Sequence, residues 1–228
     1  MRRVDNPELL DSDACPPEQV TKSLRDLSSI NRKFGGVSTT RVLIERVAAA
    51  TGKRKFSALE VAAGFGEVPK IVADHLAQQG IQLELTLLDI KRSHLLPGEH
   101  SVVADALALP FPDNAFDLVA CNLFVHHLQP EAVACFAREA LRVSRCAFLI
   151  NDLIRHPLHL ALVYAGFPLM RSYVSRRDGV VSVRRAYVQN EVREMIASAF
   201  ADVSRPRIEI SRHFLFRMGV IAWKQRSR

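Results

Sequence analysis

The chain has 228 residues, 48% of them apolar, and 31 Lys and Arg against 24 Asp and Glu leave a net charge of +7. That is enough to bury one sizeable core, and with no Pro/Gly/Ser-rich linker the composition argues against a disordered tail or a string of small domains. Four cysteines without a CxxC pair (Cys15, Cys121, Cys135 and Cys146) argue against a disulfide scaffold or a zinc cluster and fit a reduced, cytoplasmic protein.

Residues 1–11 carry charge but no apolar run, so no secretory signal is expected. Pro16-Pro17 opens a helical pattern with Val20, Leu24 and Leu27 on one face, ending near Gly35-Gly36. Ser38 or Thr39 is placed to cap a second helix bearing Leu43 and Val47. Both helices precede the first strand, and the reading takes them as a helical lid.

Strands and helices then alternate. Strands are expected at 56–61, 83–88, 101–103, 116–122 and 146–151, with helices at 68–78 and 131–143. Near-continuous apolar runs such as Leu118-Val119-Ala120-Cys121 suit strands covered on both faces, as in a parallel sheet. After Asn151 the alternation breaks. An apolar run at 158–170, too short for a bilayer span of ~20 residues, leads into a basic segment at 171–185. A helix at 190–200 and two strand-like runs at 207–210 and 214–223 close the chain as an antiparallel hairpin. The division is one domain: a helical cap (1–52), a core (53–152), an insertion over the ligand edge (153–188) and a final helix with hairpin (189–228).

The run Leu59-Glu60-Val61-Ala62-Ala63-Gly64-Phe65-Gly66-Glu67 reads as a buried strand, a glycine turn and a helix start. Gly64 and Gly66 allow positive φ and close approach of a ligand. The third glycine of a dinucleotide GxGxxG is missing, Pro69 standing there, and Glu60 and Glu67 flank the turn with negative charge. A diphosphate would be repelled. A cationic adenosyl ligand such as S-adenosylmethionine is favoured over NAD. Asp89, ending the second strand, is placed to accept from ribose hydroxyls, and Asp105 from an adenine amine.

LEVAAGFGEVP, LTLLDI, VVADALALPF, FDLVACNLFVHHL and the terminal hairpin together resemble the class I S-adenosylmethionine-dependent methyltransferases, notably those of quinone biosynthesis. INRKFGG, NDLIRHP and SRRDGVVSVRRAY are similar to small methyltransferases associated with type III polyketide synthases. The resemblance implies a Rossmann-like seven-stranded, mostly parallel α/β sheet with a reversed last strand. It implies that Glu60, Ala62, Gly64, Gly66, Asp89, Ile90, Asp105, Ala106 and Asn122 line the cofactor, which leaves as S-adenosylhomocysteine. Ala62 departs from the family, whose turn has its first glycine there.

The implied acceptor is a phenolic, quinol or polyketide-derived hydroxyl. His126, with His127 beside it just past the fourth strand, is the candidate base, although an HHL run there equally serves packing. No [D/N]PP[Y/F] run follows that strand, which disfavours amino methylation. Arg155, Arg176, Arg177, Arg184 and Arg185 in the insertion are either anion-orienting groups or a solvated face. His94, His156 and His159 show no metal-ligand spacing, so no metal is assigned. Partners are expected to be a small molecule, with no DNA and no stable membrane insertion, in a monomer or homodimer. An RNA methyltransferase and a non-catalytic cofactor-binding protein are the rival readings.

Overall fold

The computed structural model describes residues 1–11, 15–96, 100–201 and 205–225. The apolar runs form strands β1 (Lys55–Val61), β2 (Gln82–Asp89), β3 (Ser101–Val103), β4 (Phe116–Asn122) and β5 (Ser144–Leu153), all parallel in the order β3-β2-β1-β4-β5. The last strand, β7 (Arg217–Trp223), lies antiparallel between β5 and β6 (Arg207–His213), completing the expected seven-stranded sheet.

Period-two alternation sends side chains to two cores. Leu59 and Val61, Val119 and Cys121, Phe148 and Ile150 face α4 (Pro130–Val143) and α7 (Gln189–Ser198). Phe136 of α4 is the centre of that side, its ring edge-on to Phe124 at 5.3 Å and to Phe148 at 5.0 Å. On the opposite face Phe56, Ala58, Leu118 and Leu149 pack against α2 (Gly36–Thr51) and α3 (Glu67–Ala77). Helices on both faces leave only strand ends free to bind a ligand. The strand order reverses between β1 and β4, and register sets Val61 beside Leu88 and Cys121. Glu60, Asp89 and Asn122 therefore stand at one edge, at the switch point.

Of the two helices expected as a lid, only α1 (Pro17–Lys33) lies over that edge. α2 is a sheet-face helix, with Leu43, Ile44 and Val47 in the core. It also starts earlier than a Ser38 or Thr39 cap would allow: Gly35, at φ 86, precedes it, and Ser38 Oγ donates to the Gly35 carbonyl at 3.3 Å. The chain needs glycine here because a Cβ on Gly35 would lie 3.0 Å from the Phe214 carbonyl oxygen, and one on Gly36 would lie 2.4 Å from Asn31 Oδ1.

The hairpin turn falls at 214–216, so β6 runs to His213 and β7 begins at Arg217, later than the sequence pattern suggests. Phe216 leaves the ladder at φ 62 because its ring stacks on His156 at 4.8 Å and His159 at 5.3 Å.

The insertion is helical: α5 (Pro157–Ala165), then α6 (Tyr173–Arg185), which takes in the basic segment. Ser172 caps α6 by accepting from Val174 N at 3.1 Å. Buried Asp26 of α1 accepts from Arg171 N, Ser172 N and Ser175 Oγ at 2.8, 2.9 and 2.9 Å, tying α1 to α6. The first eleven residues form a strap along α6. Val4 N donates to the Arg184 carbonyl, and Leu9 N and Leu10 N donate to the Asp178 carboxylate. Arg3 lies over the Tyr187 ring at 4.4 Å and donates to the Arg185 carbonyl at 2.7 Å.

Candidate active site

A cleft of about 310 Å³ opens at the ends of β1, β2 and β4, beneath α1. Its floor is the turn after β1. Ala62 holds φ 54 there, a conformation costing a residue with a Cβ roughly 1 kcal/mol. The turn is tied down by Ala63 N to the Leu88 carbonyl and Gly66 N to the Ala63 carbonyl. The two glycines serve different ends. A Cβ on Gly66 would sit 2.4 Å from Leu87 Cδ1, so this glycine lets α3 pack against β2. A Cβ on Gly64 would meet nothing within 4 Å, and Gly64 lines the cleft: its bareness keeps the floor open to a ligand.

Glu60 is buried, and its carboxylate accepts from Asn122 Nδ2 at 2.6 Å. Burial raises its pKa to about 7, against the lowering effect of the Asn122 bond. The Asn122 oxygen is held by Thr40 Oγ1 at 2.6 Å and Asn151 Nδ2 at 2.8 Å, and Asn151 also donates to the Gly36 carbonyl. A buried acid raised in this way is stabilised in its charged form by any positive group placed beside it. Asp89 accepts from Gly64 N and Lys91 N, both at 3.0 Å, and lies 3.3 Å from His94 Nδ1. Burial works to raise its pKa, yet the His94, Lys91 and Gly64 bonds hold it below the ordinary value. Glu67 also lines the cleft, but Arg32 at 3.7 Å offsets part of its charge.

Ile90 borders the cleft with two-thirds of its surface exposed. Asp105 and Ala106 are not among the residues lining it. Asp105 is exposed past β3 and accepts from Leu107 N at 2.8 Å, while Ala106 is buried in the core.

A second, smaller cavity of about 140 Å³ lies between α1, α5 and α6, walled by Leu27, Ile30, Leu123, Val163 and Met170. It shares Glu8, Leu10, Leu27, Leu123 and His127 with the cleft. The polar part of this partition is a cluster centred on Glu8. Buried His126 pairs through Nδ1 with Asp152 Oδ1 at 2.6 Å, and its Nε2 lies 3.3 Å from Glu8 Oε1 without the alignment of a hydrogen bond. His127 pairs through Nδ1 with Asp11 Oδ1 at 2.9 Å, and its Nε2 lies 3.7 Å from Glu8 Oε2. Ser182 Oγ donates to Glu8 Oε1 at 2.6 Å, and Arg185 donates to Asp11 at 3.0 Å.

Burial would lower the His126 pKa, but the Asp152 and Glu8 carboxylates outweigh it and push it up to about 10. Glu8 and Asp152 are each held below the ordinary range despite burial, chiefly by His126. The arrangement stores a proton between carboxylates at the junction of a cleft and an apolar chamber.

Residues 59–146 match a family described as a methyltransferase domain. Over those residues the chain carries a methyltransferase domain, and its solved neighbours include an S-adenosylmethionine-dependent enzyme and one holding S-adenosylhomocysteine. Solved structures agree on the fold of the methyltransferase. One is an S-adenosylmethionine-dependent methyltransferase from Aquifex aeolicus (17% identity, 92% of this chain and 100% of that one, TM-score 0.60). Another is the plantazolicin methyltransferase BpumL, solved with a triazolic desmethylplantazolicin analogue and S-adenosylhomocysteine (12%, 92% of each chain, TM-score 0.69). A third is the CMeT domain of the citrinin polyketide synthase (13%, 74% of this chain and 46% of that one, TM-score 0.51). No curated protein matches the sequence. Among the described residues no helix is long and apolar enough to cross a membrane.

The methyltransferase brings Glu60, Ala62, Gly64, Asp89, Ile90 and Asn122 to one cleft, with Gly66 supporting it from behind. His126 and His127 meet at the neighbouring partition. Three of the insertion arginines take structural places, Arg155 pairing with Glu191 at 2.7 Å, Arg176 donating to the Met170 carbonyl and Arg185 being buried, whereas Arg177 and Arg184 are exposed. His159 Nδ1 donates to the Ile154 carbonyl at 3.0 Å, and both His159 and His156 stack on Phe216. Glu8 and Asp11 are site residues that the sequence reading passes over, since acids in a charged N-terminal stretch carry no local signal.

Proposed function

We propose that this methyltransferase acts on a small acceptor, an aromatic hydroxyl of phenolic, quinol or polyketide-derived type. The observation that carries the reading is the pair of cavities joined at Glu8 and His127. The larger cleft takes S-adenosylmethionine and the smaller chamber takes the acceptor ring. S-adenosylmethionine supplies a methyl group already activated on a sulfonium, so the protein's task is alignment, exclusion of water and handling of one proton.

The cleft residues suit that cofactor. Gly64 leaves its floor bare, Glu60 offers a buried carboxylate to a cationic group, and Asp89 is ionised beside the turn. We assign Asp89 to the ribose hydroxyls and keep Asp105 as an adenine partner, which requires the 105–108 turn to swing toward the cleft. On the acceptor side the proton is taken into the Glu8–His126–Asp152 array. Glu8 presents its carboxylate at the partition and His126 stands behind it, oriented by Asp152. Glu8 takes the proton, and His126, already protonated and oriented by Asp152, positions that carboxylate.

The test is incubation with methyl-labelled cofactor and a metabolite extract, followed by identification of the labelled product. A labelled small phenol or quinol is expected, and His126→Ala should lower turnover by ~10²-fold with little change in S-adenosylhomocysteine affinity. Label in RNA or protein would overturn the acceptor assignment, and an unchanged rate would remove His126 from it.

A further inference from the structure

Two features of the partition exceed what a proton relay needs. Each histidine has its Nδ1 engaged by a carboxylate of its own: His126 by Asp152 at 2.6 Å and His127 by Asp11 at 2.9 Å. That leaves both Nε2 atoms turned to one carboxylate, Glu8, at 3.3 and 3.7 Å. A carboxylate fixing the far nitrogen is how proteins orient imidazoles that ligate a metal, setting the tautomer and raising ligand basicity. Ser182 fixes Glu8 in the same manner, through Oε1 at 2.6 Å. Every first donor thus has a second group behind it.

The Nε2 of His126 is buried and has no hydrogen-bond partner, and it is aimed into the space before Glu8. One ligand atom from each of Glu8, His126 and His127 falls within 4.8 Å of the others. Bonds of about 2.0–2.2 Å to a common centre need separations only about an ångström shorter, a matter of side-chain rotation.

We propose that Glu8, His126 and His127 form a binding site for one divalent first-row transition cation, of the zinc class. Two imidazoles and a single carboxylate suit such ions, whereas magnesium and calcium prefer oxygen donors throughout. Three protein ligands leave a coordination position open, the pattern of sites that act on a substrate rather than merely brace a fold. Glu8 and His127 line both cavities, so the open position faces the junction. There the ion would hold an acceptor oxygen as a Lewis acid, a role that rests on the proposed function, although the site itself does not. This departs from the sequence expectation of no metal. The sequence conceals the site because Glu8 is remote from the histidine pair and the spacing of adjacent histidines matches no familiar ligand motif.

The test uses the full chain, freed of metal with a chelator and titrated with Co2+ while visible absorption is followed. Saturable binding of one Co2+ per chain, displaced by Zn2+, is expected. Glu8→Gln and His127→Ala should each weaken it tenfold or more. Both variants keep the sheet intact, and the thermal shift given by S-adenosylhomocysteine checks in parallel that the cleft is folded. Absence of saturable Co2+ and Zn2+ binding in a chain that still responds to S-adenosylhomocysteine would overturn the metal site and leave the methyltransferase reading standing. Equal affinity in the wild type and both variants would also overturn it, by placing the ion elsewhere. Loss of the S-adenosylhomocysteine response with Co2+ binding preserved would support the metal site while refuting the cofactor assignment.

Discussion

Replacing Glu60 with Gln isolates the buried carboxylate of the proposed cofactor cleft. In the ligand-free chain, burial raises its pKa from 4.5 to about 7. At roughly 1.4 kcal/mol for each tenfold in proton affinity, keeping this group ionised costs the folded state about 3 kcal/mol. Because the folded-state value is raised, the stability linked to it is fully present below pH 4.5. It is lost as pH climbs through 7, and the curve is level beyond. Gln keeps an oxygen for the Asn122 amide and never ionises. The stability of the variant relative to wild type, from urea unfolding without ligand, should therefore rise by about 2–3 kcal/mol between pH 5 and pH 8. A cationic ligand reverses the preference, since it draws the proton off Glu60. Wild-type affinity for S-adenosylmethionine, by calorimetry, should tighten toward neutral pH by up to ~10-fold per pH unit and then level off. The variant should show no such dependence and bind more weakly at pH 8. Parallel pH curves for the two proteins, in both unfolding and binding, would refute the electrostatic account of the cleft.

The turn glycines should separate by effect. Gly66→Ala forces a methyl onto Leu87 and should cost about 1–3 kcal/mol in chemical denaturation, whereas Gly64→Ala should chiefly weaken S-adenosylhomocysteine binding, read by calorimetry. Ala62→Gly relieves the positive φ at that position; it should leave stability within ~1 kcal/mol of wild type and not reduce cofactor affinity, because the lost strain offsets the added unfolded-state entropy. Phe136→Ala empties the middle of the α4-side core and should cost ~3–5 kcal/mol in the same assay.

Much of the sheet is legible because its strands are apolar on both faces, although the comparable run at 158–170 is helical instead. The turn at Gly64 and the acids Glu60 and Asp89 were legible for a related reason: local geometry and charge specify them within a few residues. The reading failed where contacts span the chain. α2 looks like half of a lid, but Gly35 fits under the Phe214 turn, Gly36 fits against Asn31, and the apolar face of α2 packs on the sheet. The His126–His127 pair drew attention, yet what decides its chemistry comes from elsewhere. His127 meets Asp11 across 116 positions, and Ser182, which holds Glu8, is 174 positions from it. No window of sequence contains both partners.

That separation gives the molecule an order of assembly. The strap bearing Glu8 and Asp11 is not fully docked until α6 exists, for Leu9 bonds to Asp178 and Arg3 to Arg185, 169 and 182 positions later. Residues 1–11 are expected to settle after the strands near the middle of the chain have paired. Contacts so distant along the chain carry a large loop-closure cost and tend to be the first to loosen. Under mild urea the chain should pass through a form with paired strands and a detached leading segment, visible as early amide exchange at Val4, Leu9 and Leu10.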